Sequence, residues 1–248
     1  MSLDLVQYSV AIHQKPIIHQ IDCTFSLGKN YCLLGPNGSG KSSLALAMMG
    51  HPEYIVGENS ILTIDGEDIT AASPDHRSQL GLFLAFQTIP ELPWVKLFEF
   101  LRTLYNAHHH VTETFVSFKK IILPLLSELH ISPDFLWRDT NVWFSGGEKR
   151  KIEVLQLKLL QPKYIILDEI DSGLDIDAFR QVAELLQSLS TDHNTFIIIT
   201  HYFQITDYLP IDEVMVLDQG RIVRRGDASL IQHIQSHWFV SLHEDSAT

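Results

Sequence analysis

Two cysteines in 248 residues leave little room for disulfide or metal chemistry. Cys23 and Cys32 lie in apolar surroundings with no histidines at ligand spacing, so they read as small buried hydrophobes. An iron–sulfur cluster or structural zinc held by this chain alone is excluded on that count. Positive charge is also scarce. Lys and Arg total 18 against 30 Asp and Glu, a formal net charge of −12, which argues against a protein that binds by neutralising nucleic-acid phosphates. No apolar run approaches the roughly 18–20 residues that span a bilayer, so direct membrane insertion is not expected. Met1-Ser2-Leu3-Asp4 has neither the basic nor the apolar part of a signal peptide. Repeats, low-complexity tracts and linkers are missing as well. The expectation is a single domain over residues 1–248, either cytoplasmic or a soluble subunit docked on something else, with enough hydrophobic residues (45%) for a sizeable core.

What is present centres on Gly35-Pro36-Asn37-Gly38-Ser39-Gly40-Lys41-Ser42, which fits the phosphate-binding pattern G-x-x-x-x-G-K-[ST]. The glycines permit backbone conformations in which successive N–H groups point inward at phosphate oxygens. Lys41 supplies a point charge for the β- and γ-phosphates, and the Ser42 hydroxyl is placed to ligate Mg²⁺. A short apolar strand, Tyr31 to Leu34, precedes the loop, and SSLALAMM (42–49) follows as a helix stopped by Gly50. Strand, loop and helix N-terminus together make an anion site.

Upstream, residues 1–30 alternate weakly and read as antiparallel strands. Ile61 to Ile64 with Asp65-Gly66 is a further strand and turn, and LGLFLAF (80–86) is a buried strand that presents Gln87 at its end, where open α/β sheets place ligands. From about Leu97 to Leu136 the period becomes helical, a helical insertion of about 88–144 in which Pro124 is expected to kink or split the second helix. His108-His109-His110 reads as a solvated loop, since consecutive histidines on a helix cannot face one metal. Trp94, Trp137 and Trp143 are assigned core or interface roles. NVWFSGGE (141–148) opens a helix that Pro162 ends. Tyr164 to Leu167 is a buried strand carrying Asp168-Glu169. Two carboxylates there are costly unless they face a cation or water, so Asp168 reads as the Mg²⁺ ligand and Glu169 as the group that orients or deprotonates a water. Ser172 to Asp175 turns into another helix, TFIIIT (195–200) ends at His201, and a hairpin and helical tail close the chain.

Gln87, Phe144-Ser145-Gly146-Gly147-Glu148, Asp168-Glu169, Ser172 to Asp175 and His201 together resemble the ATP-binding cassette (ABC) ATPases along nearly the whole chain. The resemblance implies an α/β P-loop NTPase fold: a RecA-like core, an antiparallel β subdomain and an α-helical insertion. It implies a head-to-tail, ATP-dependent homodimer in which Ser145, Gly146, Gly147 and Glu148 complete the partner's ATP site, which in cis is built from Gly35 to Ser43. Glu169 would be the base, His201 the switch histidine, Asp175 the cross-dimer aspartate, and Gln87 both a catalytic and a metal-binding group beside Ser42 and Asp168. ATP and Mg²⁺ are the implied cofactors. HPEYIV (51–56), AFQTIPELPWV (85–95), NVWFSGGEKRKIEVLQL (141–157), LDEIDSGLDIDA (167–178) and THYFQITDYL (200–209) are similar to the SufC-type ATPases of Suf iron–sulfur cluster assembly. Soluble SufB- and SufD-like scaffold proteins are then the implied partners. The alternative is the nucleotide-binding subunit of a membrane transporter. A nucleotide-gated module with little turnover is disfavoured by intact Lys41, Asp168, Glu169 and His201. Ser43 replaces the usual threonine, and Trp94 stands where glycine is expected. The adenine-stacking aromatic is missing near residues 12–13, leaving Ile12 or His13 as substitutes.

Overall fold

The structure is a computed structural model that describes residues 1–200 and 203–237. Strands β1 (Ser2–Ile12), β2 (Lys15–Ser26) and β3 (Tyr31–Leu34) lead into helix α1 (Lys41–Met49). Next come β4 (Tyr54–Val56), β5 (Ile61–Ile64), β6 (Glu67–Asp68), α2 (Pro74–Gln79) and β7 (Leu82–Ala85). Strands β8 (Leu92–Lys96) and β9 (Asp139–Thr140) bracket α3 (Leu97–His109), α4 (Phe115–Glu128) and a 3₁₀ turn at Pro133–Trp137. The chain ends with α5 (Gly146–Leu160), β10 (Tyr164–Asp168), α6 (Ile176–Leu189), β11 (Thr195–Ile199), β12 (Glu213–Asp218), β13 (Arg221–Gly226) and α7 (Ser229–His237).

Among the described residues these strands form three sheets. The central one has the order β13-β12-β3-β11-β10-β7, parallel except for the β12–β13 hairpin. The second is antiparallel: β2-β1-β5-β6, with β4 also on β1. The third is the short β8–β9 ribbon at the base of the helical insertion. Both faces of the central sheet are covered, which is why its strands read as unbroken apolar runs. Along β10, Ile165 and Leu167 pack against the layer of α3 to α6, while Tyr164 and Ile166 face α1 and the antiparallel sheet. Cys32 of β3 joins Val214, Val216 and Leu230 of α7 in a third cluster. Burial pushes the thiols of Cys23 and Cys32 each up to about 12, so both are held as neutral thiols.

Two expectations are corrected: Pro124 does not split its helix, and the three histidines do not form a loop. Helix α4 runs from Phe115 to Glu128 without a break at Pro124. Proline removes the N–H that would pair with the Lys120 carbonyl, but both residues lie on the exposed face, where that carbonyl is open to solvent, while Phe118, Ile122 and Leu126 anchor the opposite face. The three histidines are the end of α3, not a loop: His109 Nε2 lies 2.8 Å from the Leu159 carbonyl, and His110 caps the helix at φ 54°. Burial, aided by the neighbouring His109, lowers the His108 pKa. Trp94 and Trp143 have no place in the core, at 92% and 93% exposed. Trp137 is half-exposed and stacks on Phe98 and Phe115 at the margin of the helical layer. No helix among the described residues is long and apolar enough to cross a membrane.

Candidate functional site

The turn from β3 to α1 is pressed between neighbours that only glycine accommodates. A Cβ on Gly35 would lie 2.0 Å from the Leu217 carbonyl oxygen, and one on Gly40 (φ 107°) 2.8 Å from Ile18 Cδ1. The loop sets Lys41 at the first position of α1, where Nζ donates to the carbonyls of Gly35 (2.9 Å) and Pro36 (3.1 Å). Burial lowers the lysine's pKa, opposed by the charges of Glu169 and Asp168. Ser39 Oγ is buried in the loop without a hydrogen-bond partner. The lysine is folded onto its own loop, and the loop holds an unused polar atom: both features suit a site shaped for a phosphate chain.

Opposite the loop, β10 ends in Asp168, only 4% exposed, whose Oδ1 accepts from Ser42 Oγ at 3.1 Å. Burial pushes this carboxyl up to about 6, against the Ser42 hydrogen bond and with help from the Glu169 charge. A hydroxyl and a buried carboxylate, with the amide oxygen of Gln87 beside the same cleft, are hard donors of the kind that suit Mg²⁺. A cation would also relieve the cost of burying Asp168. The residues present fit the metal.

Glu169 follows in left-handed backbone, φ 46°, with its N–H on the Ile199 carbonyl at 2.8 Å. Strain of this kind in a non-glycine residue is stored where geometry matters. Its Oε2 accepts from Gln87 Nε2 at 2.6 Å. Asp171 Oδ2 accepts from the Thr200 hydroxyl at 2.7 Å, and burial raises its carboxyl. Asn37, Gly38, Gly40, Lys41, Ser42, Ser43, Gln87 and Glu169 line one cleft of about 820 Å³, within the ~300–1,000 Å³ usual for small-molecule sites.

Ile17, Asp171 and Ser172 line the same cleft and were not anticipated. Ile17 is there because β2 leans over the loop. Ile12 and His13 are not among the lining residues; they sit at the tip of the β1–β2 hairpin, where His13 and Gln14 turn in left-handed backbone, φ 45° and 65°. Ile17 is the aliphatic side chain that the structure places at the cleft.

The remaining expected residues are not brought to the cleft. Ser145 caps α5, accepting from Glu148 N–H at 3.2 Å while its own N–H donates to Glu148 Oε2 at 2.7 Å. Asp175 caps α6, its Oδ1 accepting from Ala178 N–H at 2.8 Å. Ser145, Gly147, Glu148 and Asp175 line a separate depression of about 690 Å³, where Gly146 packs against the Gly173 carbonyl. His201 lies outside the described residues.

A family model described as ABC transporter matches residues 18–172, more than half of the chain. The chain belongs to the ABC transporter family. It is an ABC-type ATPase. Relatives agree along almost its whole length. It is 39% identical over 235 residues to the iron–sulfur cluster assembly protein SufC of Plasmodium berghei, covering 93% of this chain and 64% of that protein. It is 38% identical to the probable ATP-dependent transporter SufC of Escherichia coli, covering 98% and 99% of the two chains. A dimeric ATP-binding cassette in a post-hydrolysis state with ADP and Pi has the same fold, with a TM-score of 0.76 at 17% identity over 91% of this ABC ATPase and 98% of that chain.

Proposed function

We propose that this ABC ATPase powers iron–sulfur cluster assembly on a scaffold of SufB- and SufD-like proteins, working in the cytoplasm as an ATP-dependent homodimer. The observation that carries the dimer is that the expected ATP-site residues fall into two separate clefts of one chain: the P-loop cleft, and the depression lined by Ser145, Gly147 and Asp175. A second copy set head-to-tail brings its Ser145, Gly146, Gly147 and Glu148 to the phosphates held by the first, with Asp175 across the seam. The dimeric cassette of the same fold supports that arrangement.

In the closed pair, the N–H groups between Gly35 and Ser43 bind the phosphate chain. Lys41 exchanges the Gly35 and Pro36 carbonyls for the β- and γ-phosphates. Ser42, Asp168 and the Gln87 amide oxygen would hold Mg²⁺, which when bound neutralises charge on those phosphates. Glu169 leaves the Gln87 amide and accepts a proton from the attacking water. The cluster is built on the partners, because both cysteines of this chain are buried neutral thiols.

The name of the Escherichia coli relative favours a second reading, in which the same engine works on a membrane permease. A native pull-down, first without and then with detergent, separates the two. Recovery of soluble, cysteine-bearing scaffold proteins without detergent is the expected result. A polytopic partner recovered only with detergent would replace the cluster-assembly reading with the transporter.

A further inference from the structure

Two residues before Ser145 stands a tryptophan that the fold does not use. Phe144, between them, is buried and packs edge-on against Phe135, with 4.8 Å between ring centroids, which holds the segment to the helical layer. Trp143 instead stands in solvent, 93% exposed, in left-handed backbone at φ 61°. A bulky side chain rarely takes that conformation, and here no burial offsets the strain. Strain of this kind points to a role outside the packing of the chain itself. Tryptophan, with a large flat apolar surface and a polar edge, is enriched where one molecule meets another.

The P-loop cleft has the complementary deficiency. Its lining side chains are polar, Ile17 excepted, and none is aromatic. Ile17 lies against the Gly40 turn of the loop, where a Cβ on Gly40 would be 3.4 Å from Ile17 Cγ2. A nucleotide base has two flat faces that gain from apolar cover, and one aliphatic side chain covers one of them. Nothing else that lines the cleft covers the second.

We infer that Trp143 stacks on the purine base of the nucleotide held by the other copy, supplying across the dimer seam the aromatic face that the cleft lacks. The inference rests on the head-to-tail dimer proposed above, which brings Ser145 to that nucleotide's phosphates. Two residues of extended chain span at most ~7 Å, and the indole adds its own length. With Ser145 on the phosphates, the ring therefore comes within reach of the base. Ile17 of one copy and Trp143 of the other then enclose the base between them. A single copy binds ATP without Trp143, and closure of the pair depends on it.

Light scattering against nucleotide concentration tests this, using the full chain with Glu169→Gln so that bound nucleotide is not consumed. Adding Trp143→Ala is expected to raise the ATP concentration for half-dimerisation roughly tenfold, the effect of one lost base–aromatic stack. Trp143→Phe keeps a ring and should recover most of that loss. The ATP affinity of the single copy, measured on protein too dilute to pair, should be the same in all three. Melting without nucleotide should also match, because Trp143 lies outside the core. The smaller ring of UTP stacks less, so the alanine change should cost less with UTP and the preference for ATP should shrink. Equal losses with ATP and UTP would make Trp143 a protein contact at the seam and overturn the inference, as would an unchanged ATP midpoint. Either result leaves the dimer standing. Glu169→Gln protein that binds ATP yet stays a single copy with Trp143 intact would remove the dimer and the inference with it.

Discussion

Asp65, in the turn after β5, ties the antiparallel sheet to the central one. It pairs with Lys163 at 2.6 Å and accepts from the Tyr164 hydroxyl at 2.8 Å, both at the start of β10. Partial burial pushes its carboxyl up, but the two hydrogen bonds prevail and hold it below the usual range. A carboxyl lowered by folding contributes stability that is fully present above its unfolded value, ~3.9, and is lost as pH falls through the folded value. Asp65→Asn is therefore expected to melt below the wild type at pH 7, the gap closing under about pH 4. Equal melting at pH 7 would show that the link contributes nothing. At this scale, legibility depended on how local each constraint is. The P-loop glycines, Lys41, Ser42 and the Asp168-Glu169 pair are dictated by neighbours within a few positions, so their pattern is visible in the chain. Ile17 enters the cleft only because a distant hairpin folds over the loop. Nothing local to Ile12, His13 or Ile17 distinguishes them.

At the scale of elements, the strands of the central sheet were readable because burial on both faces demands continuous apolar runs. The helical insertion was readable because its period changes to that of a helix. Pro124 does not split its helix because it lies on the exposed face, which the residue type alone does not show. Substituting alanine there restores an N–H to an uninterrupted helix but also loosens the unfolded chain. The balance is a gain of about 1–2 kcal/mol and a melting temperature a few degrees higher. An unchanged or lower melting temperature would mean that the proline's geometry is required by the packing of Phe118, Ile122 and Leu126. Trp94 and Trp143, expected in a core or an interface, lie outside the core in left-handed backbone, φ 68° and 61°, on the β8–β9 ribbon and the turn after it.

For the whole molecule, the informative fact is that the expected site residues fall into two separate clefts, which the proposed dimer brings face to face. Glycines and carboxylates are legible one by one. That Ser145 and Asp175 lie apart from Lys41 and Glu169 is a property of the folded chain and became visible only with the sheet order and the placing of α5 and α6. The account stands on those faces meeting between two copies when ATP is bound. Light scattering of a Glu169→Gln variant, in which the proposed base is removed, measures this most directly. With ATP and Mg²⁺ the mass should double from 28.3 kDa, return to one copy with ADP, and fail to double once Ser145→Arg is added, although ATP still binds. A single-copy mass with ATP demonstrably bound, in a protein whose wild type hydrolyses it, would contradict the account.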